Sequence, residues 1–328
     1  MKRSAMLATA LVPAIAMVVT GCTDSGDGDG GGTQGTLSLQ VTDAPVDQAE
    51  HVWVEFGDIE LKPADGPSIT FQPAETGRID LLALSGGGAE ALLEEVDLPA
   101  GQYNWIRLHD LAVTLEKADE TIDQPNVWVP SGAQTGLKLV SPFTVPVNDS
   151  LSLTVDFDLR KAVHTIAAQP PAGPLRGYDY RLRPALRLVD TSETGAIAGS
   201  VDNAISSEGC GFSDGDDPAG AAVYVYSGHD LTTLGDVYVE DTSEGDDADS
   251  SDQLAEGNDS PVTVAPVRYN DTRAEYRYRA AFLNAGDYTV AFTCDASDDQ
   301  PDATDDAPPF GNPAEVTVNA GEVTEADL

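Results

Sequence analysis

The segment from Leu151 to Leu159 sets Leu151, Leu153, Val155, Phe157 and Leu159 against Ser152, Thr154, Asp156 and Asp158. Successive side chains of a β-strand point to opposite faces, so this period of two specifies a strand with one apolar side and excludes a helix, whose repeat is 3.6. The same alternation appears where Leu37, Leu39 and Val41 interleave with Thr36, Ser38 and Gln40. Further strands are predicted at Val52 to Phe56, Ile59 to Lys62, Tyr103 to Leu108, Val127 to Val129, Leu137 to Val140 and Arg181 to Leu188. Short strands punctuated by Gly and Pro turns imply an all-β chain, arranged as a sandwich or a partly closed barrel. One short helix is predicted from Ala89 to Val96, bounded by Ser85-Gly86-Gly87-Gly88 and Leu98-Pro99-Ala100-Gly101.

A second set of strands opens with Ile197, Gly199 and Val201. It continues through Ala221 to Tyr226, Val237 to Val239, Val262 to Val267, Arg273 to Phe282, Tyr288 to Cys294 and Glu315 to Val318. Leu283-Asn284-Ala285-Gly286-Asp287-Tyr288 reads as a hairpin, with glycine supplying the backbone freedom of a tight turn. The same alanine-glycine-x-tyrosine turn occurs at Ala100-Gly101-Gln102-Tyr103, which points to two related sandwiches. A length of 328 residues accommodates two domains, expected over residues 36–190 and 195–328, after a leader over 1–21 and a tether over 22–35.

At the N-terminus Lys2 and Arg3 precede a nearly unbroken apolar run from Ala5 to Val19, and the small pair Thr20-Gly21 stands before Cys22. That order is the plan of a cleaved signal peptide. The run falls short of the roughly 20 residues that span a bilayer, and Pro13 interrupts it. Val19-Thr20-Gly21-Cys22 resembles the bacterial lipobox, which implies a diacylglyceryl group on Cys22 and an acylated amine after cleavage; an ordinary secretory signal is the competing reading. Durable anchoring takes more than one acyl chain, which such a lipid provides. Thr23 follows Cys22 in place of the Asp of an inner-membrane retention signal, so the expected location is the outer membrane. Thr23 to Gly35 is Gly, Asp and Ser without apolar periodicity, the composition of a flexible tether.

Charge narrows the partners. With 56 acidic against 17 basic residues, the net charge is −39. Nucleic acid is disfavoured, because phosphate contacts need clustered Lys and Arg, and anionic headgroups are disfavoured for the same reason. With Cys22 assigned to lipid, Cys210 and Cys294 form an even pair that an oxidising compartment would bridge, stabilising by roughly 4 to 5 kcal/mol. A free thiol pair or a metal site is the alternative, though a metal wants more Cys or His nearby. Asp241 to Asp259 and Asp295 to Asp306 read as solvated acidic loops. Calcium is the sharper reading of such loops, and Asp214, Asp216 and Asp217 beside Cys210 are its best group, without the spacing of an EF-hand.

Little in the chain specifies catalysis. His51, His109, His164 and His229 are dispersed, with none in a metal-spaced pair, and no Gly-rich phosphate loop precedes a helix. Paired carboxylates could serve a glycosidase, but 56 acids make any pairing available by chance. No catalytic residue and no cofactor is assigned. Arg160, Lys161, Arg176, Arg181, Arg183 and Arg187 form a basic cluster. On one strand Arg181, Arg183 and Arg187 would share a face able to take an anionic ligand; alternatively they pair across strands with Asp156 and Asp158. Arg277 and Arg279, alternating with Tyr276 and Tyr278, carry the same two readings.

Several motifs occur in order: Gly35-Thr36-Leu37, Thr42-Asp43-Ala44-Pro45, Ile79-Asp80-Leu81-Leu82, Leu98-Pro99-Ala100-Gly101-Gln102-Tyr103 and Ile106-Arg107-Leu108. Pro130-Ser131-Gly132, Gly136-Leu137-Lys138, Asp156-Phe157-Asp158-Leu159 and Leu182-Arg183-Pro184 follow. Over residues 35–190 this set resembles a family of bacterial surface lipoproteins known only as a domain of unknown function. The resemblance implies an exported β-rich domain without an established reaction. Residues 195–328 are similar to the transthyretin-like or carboxypeptidase-regulatory-like β-sandwich. Together these imply a lipid-anchored envelope protein with a non-catalytic binding or structural role in adhesion, glycan contact or envelope assembly. An accessory role in solute or polysaccharide handling is the alternative, and a glycan hydrolase the third. The expected partners are the membrane, through the lipid, and a glycan or envelope protein.

A net charge this large repels itself until salt screens it, which points to a saline habitat. The thermal midpoint is therefore expected to rise between about 0.1 M and 1 M salt, as the Debye length shrinks from about 10 to about 3 Å. An unchanged midpoint in calorimetry would contradict this.

Overall fold

The computed structural model describes residues 33–44, 49–74, 77–118, 121–130, 136–166, 172–183, 185–202, 210–211, 218, 220–238, 260–303 and 307–328. The first sandwich starts with β1 (Gln34–Ala44), β2 (His51–Glu55), β3 (Ile59–Pro63), β4 (Ile69–Phe71) and β5 (Ile79–Asp80). Then come β6 (Glu90–Pro99), β7 (Gly101–Leu108), β8 (Ala112–Glu116), β9 (Val127–Trp128), β10 (Leu137–Leu139) and β11 (Phe143–Val145). It ends with β12 (Ser150–Asp158), one helical turn α1 (Leu159–Ala162), β13 (Val163–Thr165), β14 (Tyr180–Leu182) and β15 (Leu186–Asp190). Three sheets result, ordered β15-β12-β1-β6, β10-β7-β3-β4 with β11 also on β7, and β13-β14-β9-β8-β2-β5. Their inward residues, among them Leu37, Leu39, Val52, Ile59, Ile106 and Val155, form one buried core.

The second sandwich comprises β16 (Thr194–Val201), β17 (Ala222–Ser227), β18 (Thr263–Pro266), β19 (Arg268–Asn270), β20 (Glu275–Asn284), β21 (Gly286–Thr293), β22 (Ala314–Val318) and β23 (Val323–Glu325). Sheets β19-β20-β16-β23 and β18-β17-β21-β22 close over Ile197, Val223, Tyr276 and Val290. The expected all-β, two-sandwich architecture is what the chain adopts. Cys210 and Cys294 are bridged, with their Cα atoms 5.2 Å apart, which ties the end of β21 to a segment 84 residues earlier.

The two sandwiches share a corner, strand for strand. β1 runs parallel to β12 and antiparallel to β6; β16 runs parallel to β23 and antiparallel to β20. Gly35 stands opposite Leu98, and Gly195 opposite Leu283. The connections β6–β7 and β20–β21 turn through Ala100-Gly101 and Ala285-Gly286 and pass from one sheet to the other, so Leu283 to Tyr288 is a corner between sheets and not the predicted hairpin; Gly101 faces Val145 and Gly286 faces Val318. Tyr103 donates its hydroxyl to the Pro99 carbonyl at 2.9 Å, and Tyr288 to the Asn284 carbonyl at 2.8 Å. The repeated turn motif thus marks the same place in each sandwich, as the sequence suggested.

Besides the hairpin, four expectations need correction, the first being the strand predicted from Val237 to Val239, since Val237 and Tyr238 lie in no strand. Of Ala89 to Val96, predicted as a helix, the residues from Glu90 on belong to β6. Leu92 and Leu93 are both buried and Glu94 and Glu95 both exposed, a pairing that imitates helical spacing. Its cause is a bulge: the register of β6 shifts against β1 between Leu37 and Gln40, and Glu95 takes φ 43°. The strand predicted from Arg181 to Leu188 is divided into β14 and β15, which lie in different sheets. Finally, the described part of Asp295 to Asp306 is not a solvated loop. Ala296 and Asp299 are buried, and Asp299 accepts hydrogen bonds from the Tyr224 hydroxyl at 2.7 Å and the Val237 amide at 3.2 Å. Asp241 to Asp259 lies outside the described residues.

Close backbone approach fixes the shared corner. A Cβ on Gly35 would stand 2.1 Å from the Pro146 carbonyl oxygen, and one on Gly195 2.3 Å from that of Asn319. Main chain cannot yield as a flexible side chain can. Gly35→Ala and Gly195→Ala are each expected to cost about 1 to 3 kcal/mol in urea unfolding. Gly286→Ala, whose Cβ would meet its nearest neighbour at 3.9 Å, should cost under about 1 kcal/mol.

Candidate functional site

Where β12 gives way to α1, the alternation of the sequence places Asp156 and Asp158 on what should be a wet face. Both are buried, at 5% and 4% exposure, and Thr154 is fully covered. The covering comes from the second sandwich: Thr42, Asp43 and Asp156 line one cavity with Thr263, Val264 and Ala265 of β18. Asp158 caps α1 by accepting from the Lys161 amide at 3.2 Å, which fixes the direction of the two cations that follow. Arg160 donates from Nη1 to the Ala296 carbonyl at 2.6 Å, and Lys161 donates from Nζ to the Pro261 carbonyl. A pair of side chains from the first sandwich therefore grips backbone carbonyls of the second.

Both cations are nearly fully buried, at 5% and 3% exposure. Desolvation lowers the Lys161 pKa, and the Asp158 carboxylate, 3.6 Å from Nζ, opposes that shift. Taking charges out of water costs several kcal/mol per ion, so such groups persist only when paired and hydrogen-bonded. Here the carboxylate and the carbonyls supply that compensation, at about 1.5 to 3 kcal/mol for each charge-assisted bond.

The candidate anionic-ligand face is not assembled as one strand face. Arg187, on β15, lies directly opposite Asp156 and binds its carboxylate through Nη2. Arg181, on β14, stands opposite His164 in another sheet. Arg183 lies between the two strands and donates its amide to the Ala162 carbonyl at 2.7 Å. The reason is the break in the chain's path: Arg183 follows β14 while the Asp158 amide binds the Ala185 carbonyl, which starts the separate pairing of β15 with β12. Cross-strand pairing with Asp156 is realised by Arg187, whereas Asp158 is taken by Lys161. The sequence signal for the grip was the run Asp156-Phe157-Asp158-Leu159-Arg160-Lys161 itself, two acids leading straight into two bases.

Each histidine ring holds structure together. His51 bonds Asp80 at 2.6 Å and stacks on Trp53, and His109 bonds Glu60 at 2.9 Å. His229 bonds the Val316 carbonyl at 3.0 Å, and His164 that of Lys161 at 3.0 Å. Among the described residues no hydroxyl or thiol is hydrogen-bonded to any of the four rings, and no group of three or more His, Cys, Asp or Glu is placed to hold a metal ion. Cys22 and the calcium candidates Asp214, Asp216 and Asp217 lie outside the described residues.

His164 gives this seam a pH dependence. Burial, then the charges of Arg183 and Arg181, lower its pKa to about 4, against the weaker pull of Asp302. The fold therefore requires a neutral ring, while the unfolded chain binds a proton below about pH 6.5. The contribution is complete above about pH 6.5 and is lost as pH falls towards about 4, amounting to up to about 3 kcal/mol. His164→Gln should show a smaller loss of urea-unfolding stability between pH 7.5 and 4.5 than the natural chain, and an identical loss would refute the assignment.

Comparison with known proteins adds the following. No curated protein matches the sequence. The Bacillus anthracis TIE protein is 10% identical with a TM-score of 0.20; the match covers 90% of this chain and 34% of that one, so this chain spans about a third of its length. GBS52, the minor pilin of Streptococcus agalactiae, is 12% identical with a TM-score of 0.18, over 89% of this chain and 94% of its own. BcpA, the major pilin subunit of Bacillus cereus, is 10% identical with a TM-score of 0.19, over 90% and 98%. Scores this low carry no functional inference. Residues 34–178, from the start of β1 to just before β14, match the family described as Domain of unknown function (DUF4382).

Proposed function

We propose that this chain is a non-catalytic module of the cell envelope, held at a membrane by lipid on Cys22, that presents its two sandwiches as one body for adhesion or envelope assembly. The observation that carries the reading is the grip of Arg160 and Lys161 on the carbonyls of Ala296 and Pro261. A protein that works by opening and closing between domains needs an interface that parts at modest cost. Parting this one would strip buried cations and carbonyls of their partners together, a cost of several kcal/mol. That favours a fixed presenting element over an accessory protein that closes on a solute. No helix among the described residues is long and apolar enough to cross a membrane, and the proposed tether supplies attachment without one.

Two measurements test the two halves of this proposal. Cys22→Ser, expressed in a host that processes lipoproteins, should move the protein from the membrane fraction to the soluble fraction. Arg160→Ala with Lys161→Ala should speed amide exchange around Pro261 and Ala296 and lower stability by about 3 to 5 kcal/mol. Unchanged fractionation would refute the anchor, and unchanged exchange would refute the single body.

A further inference from the structure

On the outer side of the second sandwich, four of the chain's 17 Lys and Arg residues fall within twelve positions: Arg268, Arg273, Arg277 and Arg279. Strand pairing concentrates three of them. Arg268 on β19 lies directly across from Arg277 on β20, and Arg279 is two residues further along the same face of β20. Directly opposed residues have Cβ atoms about 5 Å apart, and same-face neighbours along a strand stand about 7 Å apart. Like charges in direct opposition destabilise a sheet, so the arrangement calls for a compensating anion.

Protein carboxylates supply only part of it. Arg277 binds Glu275 at 2.8 Å and Glu325 at 3.4 Å. Among the described residues neither Arg268 nor Arg279 has a carboxylate within ion-pair distance, and both are exposed. The three arginines border an open cleft of about 490 Å³ together with Asn270, the Glu325 carboxylate that Arg277 binds, and the apolar Pro266 and Val323, while Ser85-Gly86 of the first sandwich lines it too. That volume lies within the roughly 300 to 1,000 Å³ of small-ligand sites. Arg279 is held against the first sandwich by Gly87, where a Cβ would come within 3.0 Å of its Nε.

We propose that this cleft binds a carboxylated glycan, such as a stretch of polyuronate, with carboxylates on Arg268 and Arg279 and sugar hydroxyls on Asn270 and Ser85. Guanidinium groups bind carboxylates bidentately, Asn270 and Ser85 offer partners for hydroxyls, and Ala198, Pro266 and Val323 give the apolar face of a sugar ring a surface to rest on. The net charge of −39 does not forbid this. At about 0.15 M salt the Debye length is about 8 Å, so a ligand in the cleft feels its three arginines, with Glu275 and Glu325 already committed to Arg277, far more than the distant acids. The assignment deepens the reading of the chain as a binding module, and it requires both sandwiches because residues of each line the cleft.

Calorimetric titration of the full chain with polygalacturonate at 0.15 M salt should give saturable binding. Arg268→Ala with Arg279→Ala should weaken it at least tenfold without lowering the thermal midpoint, since neither side chain is buried and loss of Arg268 relieves its repulsion with Arg277. Neutral dextran should give no heat. Absence of polygalacturonate binding, or binding indifferent to the two substitutions, overturns the site. Equal binding of polyglutamate with the same sensitivity overturns the glycan and makes the partner an acidic polypeptide. None of these outcomes bears on lipid attachment, which the Cys22→Ser fractionation decides separately.

Discussion

The seam between the sandwiches depends on two cations kept dry. Arg160 and Lys161 sit at the end of a strand whose neighbouring carboxylates, Asp156 and Asp158, are buried with them. Each charge is tolerable only because another is at hand: Arg187 on Asp156, Asp158 beside Lys161, and carbonyls of the partner sandwich on both bases. Burial of this kind contributes less to net stability than an apolar seam of equal area would. What it confers is orientation, because misaligned cations would face hydrocarbon in place of carbonyl oxygens.

Around that seam the chain uses one corner twice. A glycine with no room for a Cβ, a parallel closing strand and a tyrosine hydroxyl returned to the carbonyl four residues back recur in both halves. The parallel pairing explains the glycine. The turn that leads into β12 or β23 crosses the first strand of its sandwich so closely that carbonyl oxygens of Pro146 and Asn319 occupy the space a side chain would need.

Charge is partitioned rather than averaged. With 17 bases against 56 acids, a basic residue is scarce, and the structure concentrates bases at the seam and at the cleft lined by β19 and β20. Acids dominate elsewhere, where they are hydrated and self-repelling, which is why salt should matter to stability.

The sequence alone determined the strands with clean alternation, such as β1 and β12, because a period of two admits few other structures. It also marked the shared alanine-glycine-x-tyrosine turn, though as a hairpin where the chain in fact passes between sheets, the disulfide pair and the match of Asp156 with an arginine. It could not reveal β6, since a bulge shifts the register and leaves a helix-like pattern of paired leucines and glutamates. Nor could it show that Asp156, Asp158 and Asp299 are buried, or that Arg181 and Arg187 part into different sheets. Alternation reports which side of a strand is polar; whether that side meets water or a second sandwich is decided only when distant segments pack, and that packing created both the cation seam and the arginine cleft.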